Sequence, residues 1–263
     1  MISRIVAIAQ TTFHEAIRRR VLYGIVVVVF LFNMFAIVLG EMSLHEEARV
    51  ARDMGLSGVS FFGSITAILL GVSLLFVELQ KRTIHTIISK PIERYEFVIG
   101  KYLGMALTLT LLTTLFTLAL WEVLALRDAP FSEAVSKAVF LAYIEVLVVA
   151  AIAIFFSSFS TPFLSGIFTF AIFVVGRVTP EMRAAAENAK SAWVRDICNA
   201  TLYVIPDLHL FSASGGTVNG KHVTVHSDFV DWSYVATSSG YGLAYIAIFL
   251  VLACVIFGRR DFV

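Results

Sequence analysis

Six apolar runs, each near the ~20 residues that cross a bilayer core, constrain this chain more than any other feature of it. They are Val21 to Gly40, Val59 to Val77, Tyr102 to Leu126, Ala138 to Phe156, Pro162 to Val178 and Tyr241 to Gly258. A hydrophobic share of 59%, a mean hydropathy of +0.87 and 23 Phe exceed what a soluble domain of this length buries. The runs predict an all-α, multi-pass integral membrane protein, a single transmembrane domain over residues 1–263 with six spans and both termini on one side of the bilayer. A net charge of +1, with no basic run interleaved with aromatics, gives no case for nucleic acid. Cys198 and Cys254 form no disulfide framework, because Cys254 sits in an apolar run and Cys198 does not.

Orientation follows from Lys and Arg in the short loops. One side carries eleven, Arg4, Arg18, Arg19, Arg20, Lys81, Arg82, Lys90, Arg94, Lys101, Arg259 and Arg260, and the other four, Arg49, Arg52, Arg127 and Lys137. The richer side is the cytosolic one by this rule, so both termini are expected there. Residues 1–20 do not read as a cleavable signal, since Arg18 to Arg20 follow the apolar positions and no small-residue cleavage site comes next. Ile2, Ile5, Val6, Phe13 and Ile17 keep roughly helical spacing, which predicts an amphipathic helix in the headgroup region or an extension of the first span.

Between the second and third runs lies a charged island over residues 78–101, continuing to Gly104. Glu78, Lys81, Arg82, Lys90, Glu93, Arg94, Glu96 and Lys101 do not belong in hydrocarbon, so the island lies in water at the membrane face. Ile84, Ile87 and Ile88 fall at i, i+3 and i+4 and share one side of a helical turn, with His85 and Thr86 on another. Pro91 ends that helix and biases Lys90 away from the α region, and a new helix is expected from Arg94.

The island resembles the coupling-helix region of the type-2 class of ABC export permeases. That pattern runs E, a short gap, R/G-T, two leucines or isoleucines, S-K/R-P-I/V, then R-x-E-F and G-K. Here it is Glu78, Arg82-Thr83, Ile87-Ile88, Ser89-Lys90-Pro91-Ile92, Arg94, Glu96-Phe97 and Gly100-Lys101. The likeness extends more weakly to Ile17 to Gly24, to YVIPDLHLF (Tyr203 to Phe211) and to IFGRRDF (Ile256 to Phe262). The resemblance implies the membrane half of an exporter in the inner or plasma membrane, paired with a second permease subunit of the same or a related chain. A cytosolic ABC ATPase subunit would hold ATP and Mg, and would dock on Arg82, Thr83, Ile84, Ile87, Ile88, Lys90, Pro91, Arg94 and Glu96. No cofactor is implied for this chain, and the transported substrate is not legible.

Motif absences point the same way. Before Gly100-Lys101 the earlier glycine of a P-loop is replaced by Tyr95, so no nucleotide site is expected here. No H-E-x-x-H, G-x-S-x-G or CxxC occurs, and His222 and His226 fall in a strand-and-loop pattern where i, i+4 spacing makes no metal pair. Glu145 is the ionisable residue well inside a run, about two turns into the fourth span, and an intramembrane carboxylate is a functional candidate. The alternative is a purely structural role, protonated or hydrogen-bonded to another helix; Asn33 in the first span is one candidate partner. Gly100 and Gly104 fit G-x-x-x-G at a membrane edge, which predicts close helix packing in preference to a dimer face.

The loop 179–240, placed outside the cytosol by this topology, opens on Thr179-Pro180-Glu181, a helix start, and is rich in helix formers up to Pro206. Asn219-Gly220 between β-formers predicts a hairpin, and residues from Asp228 to Tyr234 are expected to restart a helix into the last span. The sequon Asn199-Ala200-Thr201 carries no weight alone. Two other function classes compete. A secondary transporter calls for an internal repeat with paired Gly/Pro interruptions, and neither is present. A non-transporting anchor that recruits a cytosolic ATPase complex would use the same island.

Overall fold

The computed structural model describes residues 2–42, 47–80, 93–126, 131–189, 191–212, 216–218, 221–223 and 231–259. Their elements are α1 (Ile2–Ile17), α2 (Arg20–Met42), α3 (Glu47–Gln80), α4 (Arg94–Leu126), α5 (Glu133–Ser157), α6 (Pro162–Arg177), α7 (Thr179–Asn188), α8 (Ala192–Val204), a 3-10 turn (Leu208–Phe211), strands β1 (Gly216–Val218) and β2 (Lys221–Val223), and α9 (Trp232–Arg259). Helices α2, α3, α4, α5 and α9 are each long and apolar enough to cross a membrane. Helices α6 and α7 reach that standard only together, and they bend by 65° where they meet.

Side-chain neighbours fix the direction of each helix. Ser60 meets Glu145, Gly63 abuts Val146 and Gly71 abuts Ala153, so α3 and α5 run parallel. Trp232 donates to Glu133, Gly242 abuts Ile144 and Phe249 packs on Phe155, so α9 runs parallel to α5 as well. Thr110 pairs with Tyr143 while Tyr102 donates to the Leu147 carbonyl, which makes α4 antiparallel to α5. Two parallel neighbours need a return pass between them. Helix α6 is that pass, because Phe173 lies by Phe61 and Gly166 by Val72, antiparallel to α3. Among the described residues, five helices are long enough to cross and the bent α6–α7 pair supplies a sixth, shorter pass of the bundle.

Helix α5 forms the axis. Its residues from Val148 to Ile154 are all buried, as the unbroken apolar run requires of a helix with neighbours on every side. Around it, α2 buries Leu22, Val29, Asn33 and Ala36 on one stripe and turns Val27, Phe30, Leu31 and Phe35 outward. Exposed apolar faces of this kind are what a bilayer solvates.

Several boundaries differ from the sequence reading. Helix α3 begins at Glu47, twelve residues before Val59, where the sequence reading opened the second span. Gly55 and Leu56 explain the extension, since Gly55 abuts Leu120 and Leu56 packs with Leu120 and Leu124 of α4 and Val135 of α5, and Ala51 is buried as well. The continuous helix expected from Thr179 to Pro206 is two helices, with Ala189 in an extended conformation between them. Its Ala-rich composition supplies helix propensity but no buried stripe to hold both halves in line: α8 buries none of its residues. The hairpin pairs Gly216 with Val223, Thr217 with His222 and Val218 with Lys221, around the Asn-Gly expected to turn it. Helix α9 starts at Trp232, whose N–H bonds the Asp231 carboxylate at 2.8 Å.

Candidate functional site

Three polar constellations interrupt the apolar bundle. The deepest begins on α6, where residues four apart, Ser165, Thr169, Phe173 and Arg177, occupy one face. Ser165, Thr169 and Phe173 on that face are buried while Phe163, Ile167, Phe168 and Phe170 point outward. The helix ends at Val178, whose N–H bonds Val174 and Val175, so Arg177 stands about 24 Å from the helix start. That falls short of the ~30 Å core. Arg177 lies 5.8 Å over the Phe173 ring, with its Nε 3.5 Å from Glu145 Oε1.

Glu145 is fully buried, and Ser60 donates to its Oε2 at 2.5 Å. Its Oε1 makes no hydrogen bond among the described residues, so what balances that oxygen is the charge of Arg177. The pair removes two charges from hydrocarbon without leaving either alone. The partnership with Asn33 considered from sequence is not formed: Asn33 donates to Val29 of its own helix at 2.9 Å, and Glu145 takes Ser60 and Arg177. Arg177 escaped the sequence reading because it sits one residue from the end of an apolar run. Its spacing from Ser165 and Thr169 was the available signal.

A second constellation caps the end of the bundle opposite the termini. Asp207 accepts from Thr179 Oγ1 at 2.6 Å and from Arg183 at 2.8 Å, while its N–H donates to Tyr241 at 2.9 Å. Tyr234 donates to the Leu210 carbonyl at 2.7 Å, and Leu208 and Phe211 are buried. The 3-10 turn is thereby pinned to α7 and α9. Gly176 makes the seat, because a side chain there would meet the Pro206 carbonyl at 2.8 Å.

The third lies where α1 crosses the start of α4. Ala9, Thr12 and Ala16 are small and buried on α1, and Ala9 and Thr12 face Gly104, where an added Cβ would come within 2.5 Å of the Ala9 carbonyl, as one at Gly100 would within 2.7 Å of Ile8. The G-x-x-x-G pair thus packs two helices of the same chain, as its position at the membrane edge predicted. A break at Arg18 and Arg19 separates α1 from α2, so α1 is an element of its own and not an extension of the first span.

Charge ties this corner together. Glu96, 2% exposed, accepts from Glu93 N at 3.3 Å and lies 3.9 Å from Arg4; Lys101 reaches Glu15 at 3.7 Å. Arg94 donates to Gly258 O at 2.9 Å, satisfying a carbonyl at the C-terminal end of α9. Phe97 stacks on Phe257 beside it. Arg94 and Glu96, expected at an ATPase interface, are thus engaged within the chain, whereas Arg82, Thr83, Ile84, Ile87, Ile88, Lys90 and Pro91 lie outside the described residues.

Compared with known proteins, residues 6–262 match the model of a family described as ABC-2 family transporter protein. No curated protein matches the chain. A helical bundle with five candidate spans, six with the bent α6–α7 pair, a charged segment between the second and third apolar runs, and a family match over nearly the whole length together place the chain in the ABC-2 transporter family, as a membrane permease of an ABC transporter.

Proposed function

We propose that this permease is the membrane half of an exporter driven by a separate cytosolic ATPase, which binds ATP and Mg and docks on the island between α3 and α4. Two permease subunits, identical or related, and two ATPases make the working assembly in the inner or plasma membrane, with the termini in the cytosol. The count of eleven Lys and Arg against four supports that orientation. The observation that carries the coupling is the anchorage of the first turns of α4. Arg94 holds the end of α9, Glu96 and Lys101 hold α1, and Gly100 and Gly104 let α1 lie flush. Force applied to the island reaches α4, α1 and α9 together.

Docking rests on Arg82, Thr83, Ile84, Ile87, Ile88, Lys90 and Pro91, with Arg94 and Glu96 positioning them. The spacing of Ile84, Ile87 and Ile88 predicts an apolar face that needs a cover, and the ATPase supplies it. Ile88→Asp places a carboxylate in that contact and lowers recovery of the ATPase with the permease by about a hundredfold. Thr86→Asp, on the other side of the turn, leaves recovery unchanged. The purified permease alone hydrolyses no ATP. Full recovery of the ATPase with Ile88→Asp at matched membrane expression would overturn the docking role.

A further inference from the structure

Hydroxyl groups descend one face of α3 at Ser57, Ser60 and Ser64, spaced i, i+3 and i+7. Ser57 is exposed, Ser60 is 4% exposed and Ser64 not at all. At the upper two, a cavity of about 20 Å³ is lined by Ser57, Ser60, Arg177 and Ser212, large enough for a water molecule. It stops at the Glu145–Arg177 pair. Arg177 keeps 24% of its side chain exposed while Glu145 keeps none, so solvent reaches the pair from the end opposite the termini and goes no deeper.

Past the pair the polar character continues. Ser64 Oγ on α3 and Ser165 Oγ on the buried face of α6 have no hydrogen-bond partner among the described residues. The packing around them is close: Gly63 and Gly71 let α3 approach Val146 and Ala153 with no room for a Cβ. A buried hydroxyl without a partner costs stability that alanine at the same place would not. Both belong to one three-helix interface, Ser64 about one turn of α3 beyond Ser60 and Ser165 roughly three turns of α6 from Arg177, so unpartnered hydroxyls continue past the ion pair and the cavity toward the other end of the bundle.

We propose that the α3–α5–α6 interface is a hydration lane within one permease subunit, open to water down to Ser60 and sealed there by the Glu145–Arg177 ion pair. When the pair parts, water enters and partners the Ser64 and Ser165 hydroxyls. The lane needs neither a second subunit nor the ATPase, so it stands or falls apart from the coupling described above.

Single cysteines in a background with Cys198 and Cys254 changed to Ser test it, using the protein in lipid nanodiscs, where both faces meet the reagent and orientation does not matter. The probe is a cationic methanethiosulfonate. Ser57→Cys reacts, and Ser64→Cys is inert while the pair is intact. Adding Arg177→Gln speeds modification of Ser64→Cys by about tenfold or more, as a closed-to-open population shifts on loss of its ion pair. Arg177→Lys keeps the charge and keeps Ser64→Cys inert. Glu145→Gln breaks the pair from the other side and gives the same gain where Arg177→Gln folds poorly. Ser64→Cys that stays inert in both pair-breaking variants, or that reacts with the pair intact, overturns the lane.

Discussion

Glu145 and Arg177 are matched in charge but not in surroundings, and the asymmetry decides what each substitution does. Arg177 retains partial access to water, so Glu145→Gln lets the guanidinium turn outward. Arg177→Gln instead strands a fully buried carboxylate. The loss of stability is therefore about 3 kcal/mol for Arg177→Gln and roughly a third of that for Glu145→Gln. The double variant recovers most of the larger loss, because a buried amide beside Ser60 is far cheaper than an unpaired charge. Thermal unfolding in detergent measures all three, and equal costs for the two single variants would contradict the assignment. From sequence, Glu145 stood out because a carboxylate in an apolar run is conspicuous. Its partners did not, since Ser60 and Arg177 reach it only through the parallel packing of α3 on α5 and the short return of α6, relations between distant parts of the chain that no local pattern encodes.

Among elements, the contact of α1 with α4 is the most sharply drawn. A methyl group at Gly104 would meet the Ala9 carbonyl and Thr12 Cβ, both at 2.5 Å, and neither is the loose end of a side chain. Gly104→Ala therefore lifts α1 off α4 at a cost of about 1–3 kcal/mol. Gly24→Ala on α2 meets nothing within 4 Å and is neutral or mildly stabilising. Trypsin cleavage at Arg18 to Arg20, the break between α1 and α2, reads the difference, faster in Gly104→Ala than in the parent and unchanged in Gly24→Ala. The apolar spacing of Ile2, Ile5, Val6, Phe13 and Ile17 announced a helix here. It did not announce which face is buried: Ile2 and Val6 are exposed, and the buried stripe is Ala9, Thr12 and Ala16. Small residues leave a faint mark on a hydropathy profile, yet they permit the closest approach of two backbones. Element ends were misjudged for a related reason, as at Glu47, where charged residues disguised the inward stripe of Ala51 and Leu56 that carries α3 beyond its apolar run.

For the whole molecule, the parallel course of α5 and α9 makes a topological claim: α6 crosses despite its 16 residues. Single-cysteine labelling in sealed vesicles places Ser160→Cys on the same side as Ser3→Cys, and Glu187→Cys on the other. Common labelling of Ser160→Cys and Glu187→Cys would make α6 a re-entrant loop and reverse α9. The brevity of that helix reaches beyond the protein. With about 24 Å of length beside a ~30 Å hydrocarbon core, α6 and its outward Phe163, Ile167, Phe168 and Phe170 oblige the adjacent lipid to compress. Each copy then carries a collar of thinned bilayer along one flank. Two copies that turned those flanks toward each other would deform less lipid than two apart, and the saving would grow in thicker bilayers.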